Sequence, residues 1–399
     1  MTRRRLRPLA LVAALGVALA VPAAGDRDSE LRFADAGPEP LLAQVLHEVS
    51  RQRMDTALAA AEKLTAEYPT FRLGHLIVGD LLLARSRPLA TFGNATGQDG
   101  RVAALREEAR MRLAAYTEKP AAEQLPRQIL QLSTNQRHAV LVDTSRSRLY
   151  LFANDAPVPR LVADYYVSQG RAGADKWREG DLKTPLGVYH VTSFLPPDSL
   201  TDFYGSGAFP INYPTHRDRR QGRTGHGIWL HGTPPDAYSR PPRASEGCVV
   251  LANPDFEALS ASIDSGTTPV VIANGIDWLP AKIWQAERNS LREAIEIWRL
   301  DWESRDTDRY LSHYAADFRS DDQSRAAFAQ SKRLINGGKA WIKVSLSNLN
   351  LLANPGEDDF VVANFEQDYR SNNLNNTMRK AQHWSRRNGR WQIIYEGSA

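Results

Sequence analysis

The chain has 399 residues, with 50 Lys and Arg against 46 Asp and Glu and a formal net charge of +4. That length is enough for two or three domains with cores of their own. Basic residues scattered among almost as many acids give no patch for nucleic acid. A single cysteine excludes an internal disulfide, and no paired ligand spacing of the kind zinc takes occurs, so neither a metal nor another cofactor is expected.

At the N-terminus Arg3, Arg4, Arg5 and Arg7 precede the apolar run Leu9 to Val21, and Pro22-Ala23-Ala24-Gly25 follow. This order reads as a secretory signal peptide over 1–24, cleaved near Ala23 or Ala24, because the run is too short and too Ala-rich for a permanent span. No cysteine follows the small residues, which excludes a lipoprotein anchor. The mature protein is expected in the periplasm.

A helical region is predicted over 30–130. Val45, Val49 and Met54 to Ala61 keep helical apolar spacing, Tyr68-Pro69 interrupts it, and Phe71 to Leu83 resumes it. The pair resembles one tetratricopeptide-like hairpin, and a further helix is predicted from Arg101 to Tyr116. A packing or homodimerisation arm is the expected role.

From 136 to 275 the texture changes to short β-rich segments broken by Gly and Pro, among them Leu149 to Phe152, Leu161 to Ser168, Gly187 to Ser193 and Pro269 to Ala273. Within this region lies GHGIWLHGTPPDAYSRPPRASEGCVVLAN, from Gly225 to Asn253, which holds the only cysteine, Cys248, after Ser245-Glu246-Gly247, with His231 upstream. The apolar run Ile228 to Leu230 places His231 at a strand end, and Val249 to Leu251 begins another apolar segment. A free thiol is mostly protonated at neutral pH, so a nucleophilic Cys248 needs a base, and His231 is the candidate. Gly247 lets the chain turn tightly enough for amide N–H groups near Cys248 to face an oxyanion, with Ser245 orienting that loop. His226, five positions before His231, falls on the opposite face of a strand and is expected at the surface.

His231-Gly232 followed by Ser245-Glu246-Gly247-Cys248 resembles the signature of the L,D-transpeptidase (YkuD) catalytic domain. Val140 to Phe152, Glu179 to Tyr189 and Ala208 to Pro214 stand in the order that family uses. The resemblance implies a mostly-β catalytic domain, a Cys248 nucleophile with His231 as base, and the Gly232 carbonyl as the group that orients the imidazole. Members often carry Arg or Asn two residues after the cysteine, where this chain has Val250. Arg240 and Arg243, in the loop before the cysteine, are candidates for binding a peptide carboxylate.

From 279 to 399 a third unit is predicted. Ile283 to Tyr314 is an amphipathic helical stretch with Trp284, Leu291, Ile295, Trp298 and Trp302 near one stripe. Strands follow at Ala340 to Leu352, Phe360 to Ser371, Met378 to Arg386 and Trp391 to Tyr395. Its Trp and Tyr pattern, ending in Gly389 to Ile394, is similar to the SnoaL-like, nuclear-transport-factor-like α+β cone, with the aromatic stripe read as core.

The expected architecture is thus multidomain: an N-terminal α-helical arm, a mostly-β catalytic domain and a C-terminal cone. It resembles periplasmic peptidoglycan-modifying enzymes, a group that includes L,D-carboxypeptidases. The implied substrate is a peptidoglycan tetrapeptide stem, cleaved at its L-to-D bond through a Cys248 thioester. The expected enzyme is of the L,D-transpeptidase type, with an amine as acceptor; an L,D-carboxypeptidase, with water as acceptor, is the first alternative. Release of wall-linked envelope protein, and a catalytically weak wall-binding scaffold, are the remaining alternatives.

Overall fold

The structure is a computed structural model and describes residues 37–89, 92–93, 100–321, 323–356 and 360–398. The signal-peptide segment 1–24 lies outside the described residues. Among those described, no helix is long and apolar enough to cross a membrane.

The arm consists of α1 (Glu39–Ser50), α2 (Met54–Glu67), α3 (Arg72–Ala84) and α4 (Gly100–Thr117). α2 stops at Tyr68 because Pro69 offers no N–H and disfavours helical backbone in the residue before it. Leu58, Ala61 and Leu64 then repeat at helical spacing against Leu42, Val45, Leu73, Ile77 and Leu81, all fully buried or nearly so. Tyr238 and Ala252, from the domain that follows, complete this core. The arm is therefore seated on its own catalytic region.

Next come β1 (Gln124–Pro126), β2 (Ile129–Gln131), β3 (His138–Asp143), β4 (Arg148–Ala153), β5 (Arg160–Tyr166), β6 (Gln169–Gly170), β7 (Gly187–His190), β8 (Ala208–Pro210), α5 (His216–Arg220), β9 (Trp229–His231), β10 (Arg243–Ser245), β11 (Val249–Val250), α6 (Asn253–Ser260), β12 (Pro269–Ala273) and β13 (Trp278–Pro280). A five-stranded sheet in the order β5-β4-β3-β12-β7 faces a three-stranded sheet in the order β11-β9-β8, and β10 pairs with β6. Val140, Val142, Leu149, Leu151, Val270 and Ile272 meet Phe209, Leu230, Val249 and Phe256 between the sheets. Leu141, Tyr150, Phe152 and Val271 point the other way, into a second cluster with Ile129 and Leu352. Burial on both faces explains why β3, β4 and β12 read as continuous apolar runs.

The C-terminal cone has α7 (Ala281–Glu303), α8 (Thr307–Leu311), β14 (Tyr314–Ser320), α9 (Arg325–Gly337), β15 (Ile342–Ala353), β16 (Phe360–Ser371), β17 (Asn375–Arg387) and β18 (Arg390–Ser398). The predicted helical stretch from Ile283 to Tyr314 is broken, since Asp306 caps α8 by accepting from the Arg309 amide at 3.0 Å, and Tyr314 already begins a strand. Trp284, Trp298, Trp302, Tyr310 and Tyr314 lie in the core, as the aromatic stripe implies.

One segment departs from the sequence reading. Residues 124–131, assigned to the helical region, belong physically to the cone: its sheet runs β14-β18-β17-β16-β15-β2. Leu125 and Leu130 are buried in the cone core, and the Trp284 indole donates to the carbonyls of Pro126 at 3.2 Å and Ile129 at 3.1 Å. β2 covers what would be a bare edge of β15. Contact on the far side is made by α5, where Arg217 lies 4.3 Å over the Phe360 ring and Arg220 donates to the Ser320 carbonyl at 3.2 Å. Between catalytic region and cone a cavity of about 1450 Å³ is lined by residues including Trp177, His190, Asn350 and His383. Cys248, His231 and Arg240 do not line it.

Candidate active site

The three-stranded sheet brings the two signature segments together. β9 and β11 run parallel with Leu230 opposite Val249 and His231 opposite Val250. Leu230 and Val249 point into the core, so the alternation of a strand sends His231, Val250 and Cys248 to the other face. The Trp229 backbone N–H faces the Cys248 sulfur, and the sulfur lies 3.5 Å from the Gly227 carbonyl. Val250 is buried beside His231, at the place where many family members carry a polar side chain.

His231 is 1% exposed and its Nδ1 lies 2.7 Å from the Gly232 carbonyl oxygen. A carbonyl can only accept, so Nδ1 carries the proton and Nε2 keeps its lone pair. Gly232 is required by close approach: a Cβ there would fall on Asn253 Oδ1 and stand 3.0 Å from the Ser206 nitrogen. Asn253, at the start of α6, accepts from the amides of Ser206 at 3.1 Å and Thr233 at 3.0 Å and donates to the Thr233 carbonyl at 2.8 Å. It ties together the two loops that frame Gly232. Sequence reasoning missed Asn253; the Asn-Pro pair opening a helix was the available signal.

Ser245 and Gly247 build the turn beneath the thiol. Ser245 Oγ donates to the Cys248 carbonyl at 2.6 Å and accepts from the Gly247 amide at 3.1 Å, and Thr184 Oγ1 donates to the Gly247 carbonyl at 3.0 Å. Gly247 has φ +131°, and a Cβ would come 2.7 Å from the Lys183 carbonyl. Its amide is bonded to Ser245 Oγ, and Gly247 serves as the turn residue of the loop before Cys248.

The two candidate arginines separate. Arg240 lies half-buried with its guanidinium 4.3 Å over the Phe203 ring and donating to the Phe203 carbonyl at 3.3 Å, where its charge acts on both Cys248 and His231. Arg243 is exposed on β10, and its charge acts on Glu107 of α4. His226 is exposed and pairs with Glu179 at 3.6 Å. Aromatic walls, not foreseen from sequence, complete the site: the Tyr204 and Phe203 rings stand 5.0 and 5.9 Å from the imidazole, and the Tyr204 ring meets Trp229 at 4.9 Å with the two planes tilted by 43°.

Burial sets the electrostatics. It pushes the Cys248 thiol up to about 11, against the lowering effects of the Trp229 amide, Arg240 and Lys176. It also pushes His231 down to about 4, with the Gly232 carbonyl opposing and Arg240 adding to the shift. At neutral pH the resting pair is a neutral thiol and a neutral imidazole. Among the described residues no group of His, Cys, Asp and Glu is arranged to hold a metal ion.

Comparison with known proteins agrees with this geometry. The profile of the L,D-transpeptidase catalytic domain matches residues 137–272, and that of the Cds6 C-terminal NTF2-like domain matches residues 290–397. No curated protein sequence matches the chain. Among solved structures, Bd1075 of Bdellovibrio bacteriovorus is 28% identical with a TM-score of 0.61, covering 69% of this chain and 98% of that one. The helical cell shape determining protein Pgp2 of Campylobacter jejuni is 26% identical with a TM-score of 0.57, covering 68% and 95%. The chain carries an L,D-transpeptidase catalytic domain of the YkuD family joined to an NTF2-like domain, and is an enzyme of the peptidoglycan-modifying kind built on that fold.

Proposed function

We propose that the protein is a periplasmic L,D-carboxypeptidase that trims peptidoglycan tetrapeptide stems to tripeptides. The observation that carries the chemistry is the His231 Nδ1 bond to the Gly232 carbonyl at 2.7 Å, which leaves Nε2 free on the strand face that also presents Cys248. The thiol proton passes to Nε2 as sulfur adds to the carbonyl carbon before the terminal D-Ala. Collapse of the tetrahedral adduct breaks the C–N bond, and the leaving amine takes that proton. Water, deprotonated by the same nitrogen, then hydrolyses the thioester and regenerates the thiol. Arg240 offers a guanidinium beside this pair to bind the terminal carboxylate.

Water as acceptor is supported by the architecture. Together the arm, catalytic domain and cone resemble a group of periplasmic enzymes that includes L,D-carboxypeptidases, and Pgp2, a helical cell shape determining protein, is similar over 95% of its length. Transfer to an amine, the L,D-transpeptidase reaction, is the second reading, favoured by the match to that domain profile. Incubating the mature protein with tetrapeptide muropeptides and weighing the products decides between them. Tripeptides with free D-Ala are expected; crosslinked dimers would transfer the assignment to the second reading, and unchanged stems would refute both.

A further inference from the structure

The loop from Thr233 to Pro242 carries Arg240 into the site, yet most of what holds it lies elsewhere. Tyr238 is buried in the core of the arm, its ring 5.0 Å from Tyr68 and 5.6 Å from Phe71, and its amide donates to the Thr70 carbonyl at 3.2 Å. Ser239 Oγ donates to Glu108 Oε1 of α4 at 2.7 Å. The Arg240 carbonyl accepts from the Tyr166 hydroxyl at 3.0 Å. The two residues before Arg240, and its own backbone, are thus fastened before its side chain reaches Phe203.

These anchors share one buried charge network. Glu108, 1% exposed, pairs with Arg112 at 3.0 Å; Arg112, 2% exposed, also pairs with Glu39 at 2.6 Å and lies 3.8 Å over the ring of Tyr166. Arg148 of β4 joins from the catalytic side, bonded to Glu39 at 3.4 Å and to Asp164. Replacing such a cluster by apolar side chains commonly leaves stability no worse, because desolvating charges is expensive; what directional charges supply is a fixed register between the elements they join. Here those elements are the arm and the loop bearing Arg240.

We propose that the helical arm is part of the active site's specificity device. Glu108, through Ser239, acts as a positioning residue that holds the Arg240 guanidinium beside Cys248, where it selects ligands carrying a carboxylate next to the electrophile. The carboxylate selected would be that of the substrate's C-terminal residue, which rests on the functional reading above. The arm therefore has a task in substrate choice beyond packing.

Because Cys248 is the only thiol, the test can be made without peptidoglycan. The full mature chain is alkylated with iodoacetate, an anion, and with neutral iodoacetamide, and the ratio of rates reports the positive charge at the sulfur. Arg240→Gln is expected to lower that ratio about tenfold. Ser239→Ala, which removes the link and leaves the buried charges in place, should lower it about threefold, with the iodoacetamide rate and the melting temperature little changed. Combined with Arg240→Gln it should add nothing further. Tyr166→Phe, which deletes the second anchor, should act in the same direction.

On muropeptides the same Ser239→Ala change should raise KM for stems with a free C-terminal carboxylate and leave C-terminally amidated stems unaffected. A folded Ser239→Ala protein whose ratio matches the parent overturns the proposal, as does an equal loss with both reagents. If the ratio falls as expected but the parent leaves every muropeptide intact, the positioning role stands and the carboxypeptidase reading fails.

Discussion

Nδ1 of His231 is bonded to the carbonyl of its own neighbour, Gly232, at 2.7 Å. A neutral carbonyl in this place fixes the tautomer without adding a negative charge that would raise the imidazole's proton affinity. Burial, only partly opposed by this carbonyl, leaves His231 well below the usual histidine range, so its imidazole is unprotonated through the whole neutral region.

Replacing Cys248 by Ala is expected to abolish trimming of tetrapeptide stems while leaving the melting temperature near that of the parent. His231→Ala should cost about 10²–10⁴ in kcat/KM, the usual contribution of a general base. His226→Ala, at an exposed residue paired with Glu179, should be close to neutral. Equal losses at the two histidines, with both variants folded, would reassign the base.

The raised thiol and depressed imidazole set distinct pH limits. Desolvation disfavours the thiolate, so iodoacetamide alkylation of Cys248 should still be climbing above pH 9 and reach half its limiting rate at pH about 11. His231 has a folded value near about 4, below its unfolded value. Its contribution to stability is therefore complete above about 6.5 and lost as pH falls toward 4. A plateau of alkylation near pH 8 would show instead that a thiolate is already stabilised in the resting site.

Asn253→Ala removes three hydrogen bonds, to the amides of Ser206 and Thr233 and to the Thr233 carbonyl. Leaving such groups unpaired costs about 1–3 kcal/mol, to be read from denaturant unfolding. Activity should fall further than this loss of fold explains, because the Gly232 carbonyl loses its frame. Full activity in Asn253→Ala would mean that His231 is held well enough by the strand alone.

A cone beginning at Leu279 lacks β2 and leaves the Trp284 indole without the carbonyls of Pro126 and Ile129. Such a fragment should melt well below one to which residues 122–133 are rejoined by a short Gly/Ser linker, and a synthetic peptide of those residues should raise its melting temperature in trans. Identical melting curves with and without the segment would show that the strand decorates the cone rather than completing it.

The helical periodicity of the arm, the alternation in β15 to β18 and the two signature segments are written in contiguous residues, where side-chain spacing reports directly which face is buried. Cys248, His231, Ser245 and Gly247 could accordingly be picked out as candidates from the sequence. Spacing could not distinguish Arg240 from Arg243, three residues apart in one loop. That distinction depends on Tyr238 seating in the arm and Ser239 reaching Glu108, contacts across more than a hundred positions. β2 is three residues long and pairs with a strand roughly 220 positions away, too short to show a period and with its partner invisible locally. Asn253, Tyr204 and Phe203 enter the site in the same way. Local backbone preference set the elements and the candidate pair; loop anchoring and strand pairing across the chain, which no local pattern encodes, decided what surrounds them.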